Sequence, residues 1–459
     1  MTFLLVPISL LNKVLVSGVP GIMNTVPLYL FAIMFFWQVR SKKVRLEDLT
    51  VSKKAYVFFV VACLAQIVTV FRSFIITTTN STIPVNLFSN IGNMLVTFSA
   101  IIFYYYFCDA MFTSEKAISS FLQSGIVTLI VLYMLVVIPQ IITTFTPALD
   151  GWVNFVGRVF EERHPGNTLF YLNGSYATTE HRVNGFAPEA SFFAAMIGII
   201  FIPLLLSAIH NRYDVFKKRV SRYFYYALLL LTMIILMFAR TTTGFLIVFL
   251  AILILLLIVH GRERLFVMIM LGFILILVIG LYIANPTFQT LVNSYLLKKQ
   301  GTDNRMGGTI SLFKMFLSYP ILGVGSGATD YFMFKYVPIS TTNNLEFYSN
   351  FLPAQSYPVQ SIWGEFFAYF GVIIMIPVLI YIAKKVKIAI GLRKWLHEKN
   401  VADHQSVALY TYVIDAFLYS LIFFAVLACF SFSWTESYYL LFYSFYIVII
   451  NKLALQEKG

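Results

Sequence analysis

The sequence predicts an all-α polytopic membrane protein with about eleven or twelve transmembrane helices and two long segments on the non-cytoplasmic side. Three observations predict it. Charged residues make up only 12% of the 459 positions, where a soluble chain carries about 25%. Hydrophobic residues make up 59% and the mean hydropathy is +0.82, more apolar surface than a water-soluble domain of this length could bury. Thirdly, the basic residues cluster in alternating loops between the apolar runs, as they do where a chain crosses a bilayer repeatedly.

A span needs about 20 mainly apolar residues. Runs of that kind fall near 22–38, 55–72, 86–107, 123–144, 189–209, 223–239, 241–259, 265–284, 362–383, 406–429 and 437–452. Residues 2–17 either form a twelfth span, paired through Gly18-Val19-Pro20-Gly21, or lie in the interface, since the stretch is short and holds Lys13. The apolar N-terminus lacks a basic n-region and a small-residue cleavage site, so it is read as part of the mature protein and the chain as one integral membrane domain, 1–459. Cys63, Cys108 and Cys429 are scattered in or beside apolar runs, which argues against a disulfide framework or a metal site.

The net charge of +13 would suit nucleic acid if it formed one patch, but it does not. Arg40, Lys42, Lys43, Arg45, Lys53 and Lys54 share one short loop, and Arg212, Lys217, Lys218, Arg219 and Arg222 another. Arg262 and Arg264 mark a third, and Lys384, Lys385, Lys387, Arg393, Lys394 and Lys399 a fourth. Read as cytoplasmic anchors, they exclude a nucleic-acid partner and leave 145–188 and 285–361 outside. Segments that long usually carry function. Within the second, Ile310, Phe313, Phe316 and Leu317 recur at helical spacing and predict an amphipathic helix resting on the outer face, ended by Pro320. Gly323–Gly327 follows no strand and opens no helix of a βαβ unit, so it is read as a tight turn and not as a nucleotide loop.

Charges that avoid the cytoplasm are the candidates for chemistry. Arg240 sits between two apolar runs with almost no loop around it, either snorkelling at the interface or lining a cavity and holding an anion. His181-Arg182-Val183-Asn184-Gly185-Phe186-Ala187-Pro188-Glu189 leads into another run. Pro188 suits the first position of the next helix, and Glu189 in its first turn would oppose the helix dipole. The same carboxylate, beside a histidine and an arginine at the membrane surface, could take a proton from a hydroxyl while the arginine holds a phosphate. Arg305 in Asp303-Asn304-Arg305-Met306-Gly307-Gly308 is a solvated loop charge or a third cation of that site. Asp415 lies within an apolar run and serves either proton coupling or a structural bond to a neighbouring helix. The sequence has no Asp-x-Asp pair, Cys/His cluster or Walker loop.

These stretches resemble the O-antigen and capsule polysaccharide polymerase (Wzy-type) and O-antigen ligase superfamily of bacterial membrane glycosyltransferases. Arg182-x-x-Gly185-Phe186-x-x-Glu189-x-Ser191 is similar to its arginine-glycine-glutamate-x-serine signature. Arg240-Thr241-x-x-Gly244 is similar to its Ser-Arg-Thr-Gly step, with Ala239 in place of the usual serine. Arg305 followed by Pro320-Ile321-Leu322-Gly323-Val324-Gly325 is similar to its arginine, helix and Pro-x-x-Gly-x-Gly block. With motif order included, the resemblance covers about residues 85 to 450.

The resemblance implies a GT-C-like fold in the bacterial cytoplasmic membrane, with no cofactor. It implies polymerisation of polyprenyl-diphosphate-linked oligosaccharides: an acceptor sugar hydroxyl attacks the donor's anomeric carbon and polyprenyl diphosphate leaves. Arg182, Arg240 and Arg305 become the expected diphosphate clamp, because guanidinium groups stay charged and grip phosphate with two parallel bonds. Glu189 or His181 becomes the expected general base. Membrane lipids, a chain-length regulator and a flippase are the implied partners. Ligases of this superfamily rely on a histidine in the second outer segment, and residues 285–361 contain none, which favours a polymerase. A lipid-linked saccharide flippase or other secondary transporter, for which Asp415 is the main argument, is the alternative, and a structural scaffold in an export complex a third reading.

Overall fold

The structure is a computed structural model that describes residues 1–13, 25–41, 53–81, 85–163, 168–217, 219–284, 289, 302–398 and 404–458. The Gly18–Gly21 turn, the basic residues Lys42, Lys43, Arg45, Lys218 and Lys399, and the start of the second outer segment lie outside the described residues. Among those described, every regular element is helical. In chain order they are α1 (Leu5–Ser9), α2 (Val26–Arg40), α3 (Lys53–Asn80), α4 (Leu87–Met111), α5 (Glu115–Thr143), α6 (Asp150–Phe160), α7 (Tyr176–Glu180), α8 (Ala190–Asn211), α9 (Arg222–Phe238), α10 (Thr242–Ile258), α11 (Gly261–Ala284), α12 (Thr302–Ser318), α13 (Thr329–Tyr336), α14 (Ile362–Glu398), α15 (His404–Leu427) and α16 (Ser437–Lys458). Each of the eleven predicted apolar runs falls on one of these helices. Among the described residues seven are long and apolar enough to cross a membrane, and the shorter apolar α2, α9 and α10 join them.

The bundle is built for lipid. On α3 the exposed face carries Val57, Val61, Leu64, Val68, Phe71 and Ile75, while Gln66, Thr69, Ser73 and Thr77 are buried. Large apolar groups outside with small and polar groups inside is the arrangement expected when hydrocarbon is the solvent. Helix α8 is the hub: nearly all of its apolar length is buried, between α9, α10 and α15.

Two prolines bend the central helices, and each defect is repaired from a neighbour. Pro139 in α5 follows a π-turn at Tyr133–Val137, and Pro203 in α8 follows one at Ile197–Phe201. A proline has no N–H for the carbonyl four residues before it. For Pro139 that carbonyl is Leu135 O, which accepts from the Trp152 indole at 2.8 Å. For Pro203 it is Ile199 O, which accepts from Ser420 Oγ at 2.7 Å.

The described N-terminal residues form no spanning helix, since α1 is five residues long. Leu5 and Val6 are fully buried, and Ser124 Oγ of α5 donates to Phe3 O. Helix α12 packs one side along the first turns of α14, with Leu312 against Gly364 and Phe316 against Phe367. Of the expected stripe, Ile310 and Phe316 are half-buried, while Phe313 and Leu317 stay exposed.

That packing leads Pro320–Gly325 to a break in α14. Gly371 has φ +59 and ψ −175, which interrupts the helix nine residues in, about 14 Å below its start. The loop supplies the missing partners: Val324 N donates to Ala368 O (2.8 Å), Gly325 N to Tyr369 O (3.1 Å) and Val372 N to Pro320 O (2.9 Å). Arg72 of α3 donates to Gly323 O and stacks 4.7 Å over the Tyr319 ring, and Ser73 donates to Val324 O at 2.6 Å. The glycines therefore let two backbones touch at membrane depth, which is more than a tight turn requires. A Cβ on Gly371 would meet Ile321 O at 2.4 Å, whereas nothing lies within 4 Å of one on Gly391 in the same helix. Gly371→Ala is expected to cost about 1–3 kcal/mol and lower the melting temperature in detergent by several degrees. Gly391→Ala should leave it unchanged or raise it. Equal melting of the two variants would show that the break does not depend on Gly371.

Candidate functional site

The candidate site lies at the end of the bundle where 145–188, the α9–α10 turn and the α15–α16 loop meet. Helix α7 stops because His181 takes a left-handed conformation at φ +52. The chain then turns along the end of α9: Val183 N donates to Phe238 O (3.4 Å), and Arg182 Nε donates to Ala239 O (3.3 Å). The next residue of that turn is Arg240, itself left-handed at φ +50. Thr241 Oγ1 caps α10 by accepting from Gly244 N at 2.8 Å, and a Cβ on Gly244 would meet Leu236 O at 2.8 Å. The Arg-Thr-x-x-Gly spacing is thus a tight helical hairpin that presents its arginine at the tip.

The loop after Arg182 is strung on a buried polar network. Gln140 Oε1 accepts from Asn184 N (3.2 Å) and Gly185 N (2.9 Å), and its Nε2 donates to Asn184 Oδ1 (3.1 Å) and Gly185 O (3.0 Å). Asn184 Nδ2 donates to Ala187 O (2.6 Å) and to Glu161 Oε1. Gly185 is at φ +59 because the chain folds back over the Phe193 ring, 2.7 Å from where a Cβ would sit.

Helix α8 starts at Ala190, so Pro188 lies before the cap and not at the first helical position. Glu189 is the cap residue, but its side chain makes no capping hydrogen bond. Glu189, Arg182 and Glu180 all lie within electrostatic range of the Tyr176 hydroxyl, with the Arg182 guanidinium 6.0 Å from the ring centre. Arg182, Arg240 and Glu189 are each partly buried, and His181 is exposed beside them.

Arg305 is carried by a different element. It is exposed on the first turn of α12, whose neighbour Asn304 is buried in a network with Asn344, Glu346 and Tyr357. That helix belongs to the Leu312–Met315–Phe332 packing cluster, while Arg182 and Arg240 flank the Tyr171–Tyr176–Ala190–Ala239 cluster. Sequence reasoning missed Arg72, although a lone arginine within an apolar run was signal enough. It also missed Gln140, Asn184 and Glu161, which no local pattern marks.

At the opposite end, Asp415 is 2% exposed and fully engaged. Arg393 Nε lies 2.9 Å from Oδ1, His210 Nδ1 3.1 Å from Oδ2, and Asn211 Nδ2 donates to Oδ2 at 3.0 Å. Helices α8, α14 and α15 are tied together there, which matches the structural reading of this acid.

These features define a class: a multi-pass helical membrane protein with a cluster of arginine and carboxylate groups at one end of its bundle. Residues 227–379 match the family described as O-antigen ligase. The matched segment holds Arg240, Arg305 and the Pro320–Gly325 block, a third of the chain, and is consistent with the O-antigen polymerase/ligase superfamily that the motifs resemble. No curated protein matches the chain.

Removing Asp415 should leave the Arg393 charge without its partner. Asp415→Leu is expected to cost about 3 kcal/mol in thermal unfolding, and Asp415→Leu/Arg393→Met to recover most of it. A melting temperature unchanged by Asp415→Leu would remove the structural role.

Proposed function

We infer that this protein is a polymerase of polyprenyl-diphosphate-linked oligosaccharide repeat units, working at the outer face of the bacterial cytoplasmic membrane. The observation that carries the reading is the meeting of Arg182 and Arg240 with Glu189 at one end of the most buried helix. In this reading the two guanidinium groups hold the donor diphosphate, whose charge grows as the anomeric C–O bond breaks. Glu189 takes the proton from the acceptor hydroxyl, with exposed His181 the other group in reach of that task. Arg305 is the third cation of the clamp, carried there by the resemblance. The family description favours a ligase as the second reading; the lack of histidine in residues 285–361 supports the polymerase. Long-chain product from purified lipid-linked repeat units alone, without a lipid A-type acceptor, separates the two.

Because a bidentate phosphate grip is geometrically specific, Arg182→Lys and Arg240→Lys should each lower polymer formation roughly a hundredfold, about 3 kcal/mol of barrier. Glu189→Gln should cripple turnover while donor binding survives. Near-normal polymer from both arginine variants, at matched amounts of folded protein, removes the clamp; near-normal polymer from Glu189→Gln returns that residue to a helix-end role.

The chemistry proposed here needs no metal, because arginines stabilise the leaving group. Polymer formation is expected to persist in excess EDTA. Loss that a divalent ion restores would overturn the mechanism.

A further inference from the structure

We propose that Glu161 is a positioning residue: wedged between Tyr176 N and the Asn184 side chain, it sets the placement of the 181–189 loop and so of Arg182 and Glu189. Its carboxyl group follows α6 and is 1% exposed. Oε1 accepts from Tyr176 N at 3.0 Å and from Asn184 Nδ2, so one oxygen links the start of α7 to the centre of the loop. The space is tight on the other side, where a Cβ on Gly157 would meet both Oε2 and Ser175 Cβ at 2.7 Å. Gln140 holds Asn184 from α5, and Glu161 holds it from α6; together they set the loop against the end of α9. The inference uses the proposed roles of Arg182 and Glu189 only for its consequence, since loop order can be read without turnover.

Among the described residues, two basic groups face this carboxyl. Arg163 faces it from its own stretch, and Lys13 from the N-terminal segment, where Lys13 Nζ also donates to Arg158 O. Glu162 lies nearby, its carboxyl group raised well above the usual range by burial and by the charge of Glu436. Burial pushes Glu161 up to about 7, against the opposing pull of Asn184, Tyr176 N, Ser175 and Arg163. A pKa raised above its unfolded value means that the folded loop prefers the neutral acid. The stabilisation is present at low pH and is lost as pH rises through about 7. A glutamine keeps the accepting oxygen at Oε1 and does not ionise, so Glu161→Gln should hold the loop at every pH.

A spin label on His181→Cys tests this in the full chain, reconstituted in nanodiscs. Cys429 is replaced by serine because it is the exposed one of the three cysteines. With Glu161 present, the ratio of mobile to immobile label should rise about tenfold between pH 6 and pH 8. With Glu161→Gln it should stay low across that range, and with Glu161→Ala it should be high throughout. Retention of the transition in Glu161→Gln would assign it to Glu162, Glu436 or another group and overturn the proposal, as would its absence when Glu161 is present. If the label behaves as expected but Arg182→Lys and Arg240→Lys both polymerise normally, the positioning stands and the proposed clamp falls.

Discussion

Main-chain polar groups within the bilayer must find partners inside the protein, and most of the irregular features described above are answers to that one demand. An unpartnered N–H or C=O in hydrocarbon costs several kcal/mol. Pro139 and Pro203 each strip a carbonyl of its donor, and Trp152 and Ser420 supply one. Gly371 opens α14, and Pro320–Gly325 closes it again with its own backbone. At the candidate site the 181–189 loop exchanges bonds with the end of α9 and with the Gln140 amide. The motif glycines mark places where two chains must touch for this to work; the arginines between them are then presented with little freedom to move.

The same demand divides what the sequence could reveal from what it could not. Apolar runs are read from composition, and all eleven coincide with helices. The hairpin at Arg240 was legible as well, because a charge between two such runs leaves few options. Helix α12 was legible from its spacing, but which residues it buries was not: Leu312 meets Gly364 and Phe316 meets Phe367, far along the chain, while Phe313 and Leu317 stay exposed. Glu161 carried no signal: Glu161-Glu162-Arg163 reads as a solvated charge run until Tyr176 and Asn184 fold over it. Arg182 and Arg240 stood in separate motifs, and only the pairing of loop with helix end brings them together.

The two ends of the bundle use charge differently. At the end that the basic clusters assign to the cytoplasm, Asp415 pairs with Arg393 and contacts His210 among three helices, and Lys452 pairs with Asp109 at 2.9 Å. At the other end Arg182 spends one bond on a main-chain carbonyl, and Glu189 makes no cap. A proton-coupled carrier was argued mainly from Asp415, and that residue is occupied in holding helices. The chemistry proposed for this protein belongs to the opposite end, where leaving-group charge would emerge beside cations held at the edge of hydrocarbon.

The docking of Pro320–Gly325 also has a bearing on biogenesis. Its side-chain partners on α3 lie 251 residues earlier in the chain, and its backbone partners on α14 have yet to be synthesised when the loop leaves the ribosome. Contacts so distant in sequence form late, because loop closure must precede any reward from the contact. The segment must therefore wait, its glycines without these partners, until α14 has been inserted beside α3. Seating of this loop comes late, and the protein matures only after its third-from-last helix is in the membrane.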